Sequence, residues 1–130
     1  MLRNIPFHLN VEDMRLLIWE VCSERVDFIY LPVHNRLGRN SGFAFVNFIS
    51  TSDLALFYAT KNGHVWSEDS DQVVEIVYAH CQGKFGLVHK YFINPATSVR
   101  SLSPHLPLIF HSDGPQIGKP ETIDELLSKF

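Results

Sequence analysis

The run that decides the fold is Ser41-Gly42-Phe43-Ala44-Phe45-Val46-Asn47-Phe48. Its aromatic and β-branched residues predict a β-strand. Because successive side chains of a strand point to opposite faces, we expect Phe43, Phe45 and Asn47 on one face. The even-numbered side chains of the run then lie on the other face, toward a hydrophobic core. The pattern therefore places two phenylalanine rings side by side on the face away from that core.

Predicted strands and helices alternate on both sides of this run. In chain order they are a strand at Met1–Asn4, a helix behind the N-cap Asn10, a strand at Asp27–Val33, a strand at Gly42–Ile49, a helix behind the N-cap Ser50 and a strand at Val73–Ala79. The order β-α-β-β-α-β is the split, ferredoxin-like arrangement of the α+β class. It predicts a four-stranded antiparallel sheet with two helices on one face. The other face is expected to be open.

Residues 83–130 follow these elements and are expected to form a C-terminal extension that packs on a core of residues 1–82. The extension is predicted to contain a short helix at Lys84–Phe92, a proline-rich coil at Ile93–Pro120 and a possible last helix at Ile123–Phe130. Thr122 is a favourable N-cap for that last helix. The division predicts one domain with an added C-terminal layer.

The run at 41–48 also matches a nucleic-acid-binding pattern. RNA recognition motifs carry the octapeptide K/R-G-F/Y-G/A-F-V-x-F/Y, and only the first defined position differs here, where Ser41 replaces a basic residue. In that pattern, rings on the open face stack under RNA bases, so we expect Phe43 and Phe45 to do so. The alternative interpretation is a buried central strand. Its place behind a loop that carries Arg36 and Arg39 favours the RNA interpretation.

Further residues are candidates for the same RNA-binding surface. Met1 takes the aromatic position of the first strand, and Tyr30 of the second strand would extend the stacking surface. The alternative for Tyr30 is a half-buried position at a sheet edge. We expect Arg3 and Asn47 to supply hydrogen bonds to base edges or phosphate. The cations expected to screen phosphates around the rim are Arg36, Arg39, Lys84 and Lys90.

Spacing on the second and fourth strands predicts further side chains in the core. Those expected to face the helices on the second strand are Phe28, Leu31 and Val33. Those expected to face inward on the fourth strand are Val74, Ile76 and Tyr78. Glu75 and Val77 would then lie on the open face.

Composition limits the class of protein. The chain has 130 residues, 45% of them hydrophobic, and a net charge of -3, which fits one domain with a buried core. No apolar run has membrane length. Two cysteines cannot form a disulfide framework, which indicates a reducing compartment, so we expect the protein in the nucleus, the cytoplasm or both. We also expect a monomer. The acidic excess concentrates at Glu68, Asp69 and Asp71, which argues against nonspecific, charge-driven binding rather than against RNA.

Catalytic and metal-binding interpretations are weak. The nearest metal-ligand cluster, His80, Cys81 and His89 with Asp113 or His111 as remote candidates, matches no standard zinc spacing. No nucleophile lies beside a plausible base, and no glycine-rich phosphate loop is present. We therefore expect neither an enzyme nor a bound cofactor.

A protein-binding domain is the main rival to an RNA-binding one. Leu16 and Trp19 lie off the apolar stripe of the first helix, so they form a second apolar patch that requires cover. A peptide partner bound to the helical face would provide it. The alternative, which we prefer, is that the extension packs there through Leu106–Phe110.

Several segments resemble one family of regulators. They are Met1–Pro6, Asp27–Pro32, Gly42–Phe48, Asn62-Gly63 with Trp66, Tyr78-Ala79 followed by Gln82-Gly83-Lys84, Ile109-Phe110 and Asp113-Gly114-Pro115. Together they resemble the C-terminal RNA recognition motif of the Mei-two-like meiosis regulators. The resemblance implies RNA binding and a role in switching cells into meiosis or developmental programmes.

Overall fold

The computed structural model describes residues 1–34, 36–93 and 106–129. Its strands are β1 (Leu2–Arg3), β2 (Val26–Tyr30), β3 (Val33–His34), β4 (Arg39–Asn40), β5 (Phe43–Phe48), β6 (Glu75–Ile76) and β7 (Leu108–Ile109). Its helices are α1 (Val11–Trp19), α2 (Thr51–Lys61), α3 (Lys84–Val88) and α4 (Ile123–Leu127). A π-helical turn, His89–Ile93, continues α3, and a 3-10 turn, Gly114–Gln116, precedes α4. Much of the predicted proline-rich coil lies outside the described residues.

The main sheet has five antiparallel strands in the order β6-β1-β5-β2-β7. Leu2 pairs with Ala44 of β5 and with Ile76 of β6. On its other side, β5 pairs with β2. β2 in turn pairs with the edge strand β7, where Ile29 lies opposite Leu108. The predicted ferredoxin-like class is therefore confirmed. The expected count of four strands is too small, because the extension adds β7 to the edge at β2.

Side-chain caps begin the helices where the sequence predicts them. The Asn10 side chain accepts a hydrogen bond from the Asp13 backbone, and the Asp13 side chain accepts one from the Asn10 backbone. At the start of α2, the Ser50 side chain likewise accepts a hydrogen bond from the Asp53 backbone N–H. At the start of α4, the Thr122 side chain accepts one from the Glu125 backbone N–H. Such caps satisfy backbone N–H groups that have no partner inside the helix.

The first core lies between the sheet and the helices α1 and α2. Its buried residues include Met14 and Ile18 of α1, Phe57 of α2, and Leu2 and Ala44 of the sheet. Val46 and Phe48 pack against it from β5, as the strand alternation predicts. This core fixes the helical layer behind the sheet.

A second core lies on the opposite face of the sheet. Its buried residues come from β2, α3, β7 and α4: Phe28, Tyr30, Leu87, Val88, Ile109 and Leu126. Phe45 and Tyr91 pack against this cluster. The expectation of an open face is therefore wrong on the side of β2 and β7, because the extension covers it there.

Two predicted inward orientations are wrong for separate reasons. A β-bulge between Val26 and Phe28 shifts the alternation of side chains along β2. Val26 and Ile29 therefore face the first core. Phe28 consequently faces the second core. Tyr78 is 89% exposed, because β6 ends at Ile76 and the chain leaves the sheet before it.

The extension also contacts the helical layer. The rings of Trp19 and Phe110 lie 5.1 Å apart between centroids, so the preferred prediction that the extension packs on Leu16 and Trp19 is confirmed for Trp19 only. Leu16 remains 52% exposed. The division into a core of residues 1–82 and an extension of residues 83–130 stays a prediction.

Lys84 anchors the extension from inside. Its Nζ donates hydrogen bonds to the Phe110 carbonyl oxygen (2.7 Å), Ser112 Oγ (2.8 Å) and Glu121 Oε1 (2.6 Å). The prediction that Lys84 lies on the phosphate-screening rim is therefore wrong, because its charge is buried and paired.

Among the described residues, no helix is long and apolar enough to span a lipid bilayer.

Candidate nucleic-acid interface

Four aromatic rings form a continuous row on the sheet face opposite α1 and α2. Phe43 meets Phe45 edge to face at a centroid distance of 5.7 Å. Phe45 lies 5.4 Å from Tyr91, and Tyr91 lies 4.7 Å from Tyr30. We call Phe43, Phe45, Tyr91 and Tyr30 the ring row. Its centroid spacings are those of ordinary aromatic pairs in proteins.

Exposure divides the ring row into an outer and an inner part. Phe43, Phe45 and Tyr91 are half-buried, whereas Tyr30 is only 8% exposed. Burial raises the pKa of the Tyr30 hydroxyl above its ordinary value. The expectation that Tyr30 lies open on the face is therefore wrong, because Tyr91 and Phe45 cover it.

Tyr91 is the functional candidate that the sequence analysis missed. The predicted helix at Lys84–Phe92 gives it no special position, yet α3 ends at Val88 and the π-helical turn follows. That turn places the ring beside Phe45 and over Tyr30. An aromatic residue just beyond a short helix is a weak signal, since its position depends on how the extension folds back.

A hydrogen-bonded chain fixes the side chain of Asn47. Its Nδ2 donates to Asp27 Oδ1 at 2.8 Å, and Ser112 Oγ donates to Asp27 Oδ2 at 2.9 Å. Burial raises the pKa of the Asp27 carboxyl, although these two hydrogen bonds and the charge of Lys84 oppose the shift. Because the amide nitrogen faces a carboxylate, Oδ1 of Asn47 is the group directed away from Asp27.

Met1 and Arg3 lie on the β1 side of β5, across that strand from Tyr30 of β2. The Met1 amino nitrogen donates to the Val77 carbonyl oxygen at 2.6 Å, and burial lowers the pKa of that amino group. Arg3 Nη1 lies 3.2 Å from Glu75 Oε1, in a pair whose side chains are both about half exposed. Arg3 is thus positioned by Glu75, which offsets its charge.

The remaining predicted rim cations lie in two places. Arg36 and Arg39 are exposed on the β3–β4 hairpin, and the Arg39 guanidinium lies 4.2 Å from the centre of the Phe7 ring. Lys90 Nζ lies 5.3 Å from the Tyr91 ring centre, which places it beside the ring row. Within the described part of the chain, no group of three or more His, Cys, Asp or Glu side chains could hold a metal ion.

The strand order, the octapeptide on the central strand and the ring row define an RNA recognition motif. The sequence matches the family described as RNA recognition motif 2 over residues 1–92. The chain belongs to this family.

Similar curated proteins come from two plants. The chain is 33% identical to Protein MEI2-like 1 of Arabidopsis thaliana, over 93% of the chain and 13% of that protein. It is 34% identical to Protein MEI2-like 4 of Oryza sativa subsp. japonica, over 93% of the chain and 12% of that protein. The resemblance to the Mei-two-like group is confirmed, and the chain spans about an eighth of the length of these relatives.

Proposed function

We propose that this domain binds single-stranded RNA, with bases stacked on Phe43 and Phe45. The observation that carries the proposal is the ring row on the sheet face of an RNA recognition motif. Both phenylalanine rings are half-buried, so part of each ring remains accessible to a base. Such rings stack on bases of any sequence.

Tyr91 takes part in the same surface in place of Tyr30. Its ring lies beside Phe45, and Lys90 lies close enough to bring a positive charge to a base or phosphate there. Asn47 adds a hydrogen-bond acceptor, Oδ1, beside the rings, and Arg3 adds donors at the other end. Met1 contributes apolar contact next to Arg3.

The first prediction concerns the two phenylalanines. Replacing both, Phe43→Ala with Phe45→Ala, removes about 1–3 kcal/mol of binding free energy per stacked base. Fluorescence anisotropy with oligouridine and with a mixed pyrimidine RNA measures the loss, and circular dichroism checks the fold. Tyr58→Ala is the matched control, because Tyr58 is an exposed aromatic residue on α2, in the layer behind the sheet. Unchanged affinity in the double variant would show that bases do not stack here.

The rival proposal of a peptide bound at Leu16 and Trp19 stays a prediction. Phe110 contacts Trp19 and so covers part of that patch. Amide chemical shifts during the RNA titration separate the two proposals. Shifts around Phe43 and Phe45 support RNA on the sheet, whereas a peptide partner would shift only residues near Leu16 and Trp19.

The resemblance to the Mei-two-like regulators extends the proposal to the cell. We include in it a role in switching cells into meiosis or a developmental programme, carried out in the nucleus or cytoplasm by a monomeric domain. Replacing Phe43 and Phe45 in the organism's own gene tests that role. A normal programme with an RNA-binding-deficient domain would remove this part of the proposal.

A further inference from the structure

Asn47 lies next to the ring row on the same face of the sheet. It follows Phe45 by two residues in β5, and side chains two apart in a strand point to the same face. Their Cα atoms are about 7 Å apart in an extended strand. The Asn47 side chain is half-buried, so part of it remains accessible. A base stacked on Phe45 therefore has one edge beside the Asn47 amide.

Hydrogen-bond donors and acceptors follow one order from the extension to Asn47. Lys84 Nζ donates to Ser112 Oγ at 2.8 Å. A lysine ammonium has donors only, so Ser112 Oγ accepts there and its own hydrogen goes to Asp27 Oδ2, 2.9 Å away. Asp27 Oδ1 accepts from Asn47 Nδ2 at 2.8 Å. This order fixes which end of the Asn47 amide faces the carboxylate.

Burial makes that order costly to reverse. Asp27 is 4% exposed and Lys84 is 8% exposed, and Lys84 is also held by the Phe110 carbonyl oxygen and by Glu121. Turning the Asn47 amide over would bring two acceptor oxygens together and leave a buried carboxylate oxygen without a donor. An asparagine on an open surface presents either its oxygen or its nitrogen to a ligand. Here the outward group is fixed as the acceptor Oδ1.

A fixed acceptor distinguishes bases by one exocyclic group. Cytosine and adenine carry amino groups, N4 and N6, which donate hydrogen bonds. Uracil and guanine carry a carbonyl oxygen, O4 or O6, at the corresponding position. The amino group can donate to Asn47 Oδ1, whereas the carbonyl oxygen would face it as a second acceptor.

We propose that Asn47 selects a base with an exocyclic amino group, cytosine or adenine, for the nucleotide stacked on Phe45. The selection rests on the proposed function, because the base must first stack on the sheet face. Asp27 and Ser112 are positioning residues, since they act on the base only through the Asn47 amide. The extension thus contributes to the choice of base through Ser112.

Titrations with two matched pairs of RNA test the selection. The pairs are oligocytidine with oligouridine and oligoadenosine with oligoinosine, all of one length, because each pair shares a ring and differs at its edge. We expect the amino-bearing member to bind about fivefold more tightly, as for one hydrogen bond. Asn47→Ala should bring both ratios to about one and leave the affinity for oligouridine nearly unchanged. Ratios near one in the unchanged protein, or ratios that persist in Asn47→Ala, would overturn the proposal.

Variants of Ser112 test the positioning. Ser112→Ala should lower the ratio of cytidine to uridine affinity, whereas Ser112→Thr, which keeps the hydroxyl, should preserve it. Ser128→Ala is the control, because the Ser128 hydroxyl also belongs to the extension but donates to the Glu125 carbonyl oxygen of α4. Thermal melting verifies that each variant is folded. An unchanged ratio in Ser112→Ala, or a lowered one in Ser128→Ala, would contradict positioning by Ser112.

Failure of the proposed function would give a different result. If none of the four oligonucleotides binds, RNA binding itself is contradicted and the selection falls with it. If all four bind equally and the double variant Phe43→Ala with Phe45→Ala weakens them equally, stacking stands and only the selection by Asn47 is overturned.

Discussion

Tyr91 lies between Phe45 and Tyr30 and so connects the outer and inner parts of the ring row. Its ring covers Tyr30, and its own hydroxyl pKa is raised by burial. It therefore packs against the second core on one side and remains accessible in part on the other. Under the proposed function, a residue in this position contributes to both folding and base stacking.

The second prediction separates those two contributions at Tyr91. Tyr91→Leu keeps an apolar contact on Tyr30 but removes the π-face, so RNA affinity should fall about tenfold, as for one stacked base. Tyr91→Phe should bind RNA like the unchanged protein. Anisotropy titrations measure both variants, and thermal melting verifies that each is folded. Wild-type affinity in Tyr91→Leu would exclude stacking at this ring.

At the residue scale, the sequence predicts which face of a strand each side chain lies on, because side chains alternate between the two faces. Phe43 and Phe45 lie on the face expected from alternation, and Val46 and Phe48 contact the first core. Lys84 and Tyr91 could not be placed in this way. Their positions depend on contacts with residues 110–121 and with β2, which no local pattern records.

At the scale of elements, the extension is attached by a buried ionic cluster. The Glu121 carboxylate is fully buried and contacts Lys84 Nζ at 2.6 Å, Lys129 Nζ at 2.7 Å and His111 Nδ1 at 3.0 Å. Burial alone would raise the pKa of Glu121. The hydrogen bonds and charges of Lys129 and Lys84 together outweigh it and hold the pKa below its ordinary value.

The third prediction follows from the sign of that shift. A carboxyl whose pKa is lower in the folded state stabilises the fold above its unfolded pKa, and this stability is lost as pH falls through the folded pKa. Glu121→Gln should cost about 3–5 kcal/mol at neutral pH because it leaves Lys84 buried without its anion. It should also flatten the fall in stability between neutral pH and pH 3, measured by urea unfolding. Glu68→Gln, in an exposed loop, is the control, and the same flattening there would contradict this assignment.

The fourth prediction concerns the turn that joins β7 to α4. Gly118 has φ +78°, and a Cβ there would lie 2.8 Å from the Cα of Glu24. Gly114 has φ +73° but open space around it. Gly114→Ala should cost about 1 kcal/mol through backbone conformation alone, whereas Gly118→Ala should cost clearly more. Equal losses in thermal melting experiments would mean that the contact with Glu24 adds nothing.

Elements with a local signal are predicted well, and added elements are not. Asn10, Ser50 and Thr122 begin helices as caps because their side chains accept bonds within their own turn. β7 has two residues and forms only because β2 offers an edge. The bulge before Phe28 likewise depends on pairing with β5. Long-range pairing decides these features, so the sequence pattern places the sheet but not its fifth strand.

At the scale of the whole molecule, the charge available to RNA is smaller than the sequence predicts. The net charge is -3, Lys84 is paired with Glu121, and Arg3 is paired with Glu75. Arg36 and Arg39 lie exposed on the β3–β4 hairpin, and Lys90 lies beside the ring row. Binding should accordingly depend on stacking more than on phosphate contacts.

The fifth prediction is a shallow salt dependence. If three phosphates are contacted, the logarithm of the association constant should fall with the logarithm of salt concentration with a slope of about -2, since single strands give about -0.7 per phosphate. Arg36→Ala or Arg39→Ala should each reduce the slope by about 0.7 and weaken binding less than the double phenylalanine variant does. Lys61→Ala is the charge-matched control, because Lys61 lies on α2 behind the sheet and pairs with Glu20. A slope near zero would remove the phosphate role from the hairpin, and a slope much steeper than -2 would mean that charge, not stacking, dominates the affinity.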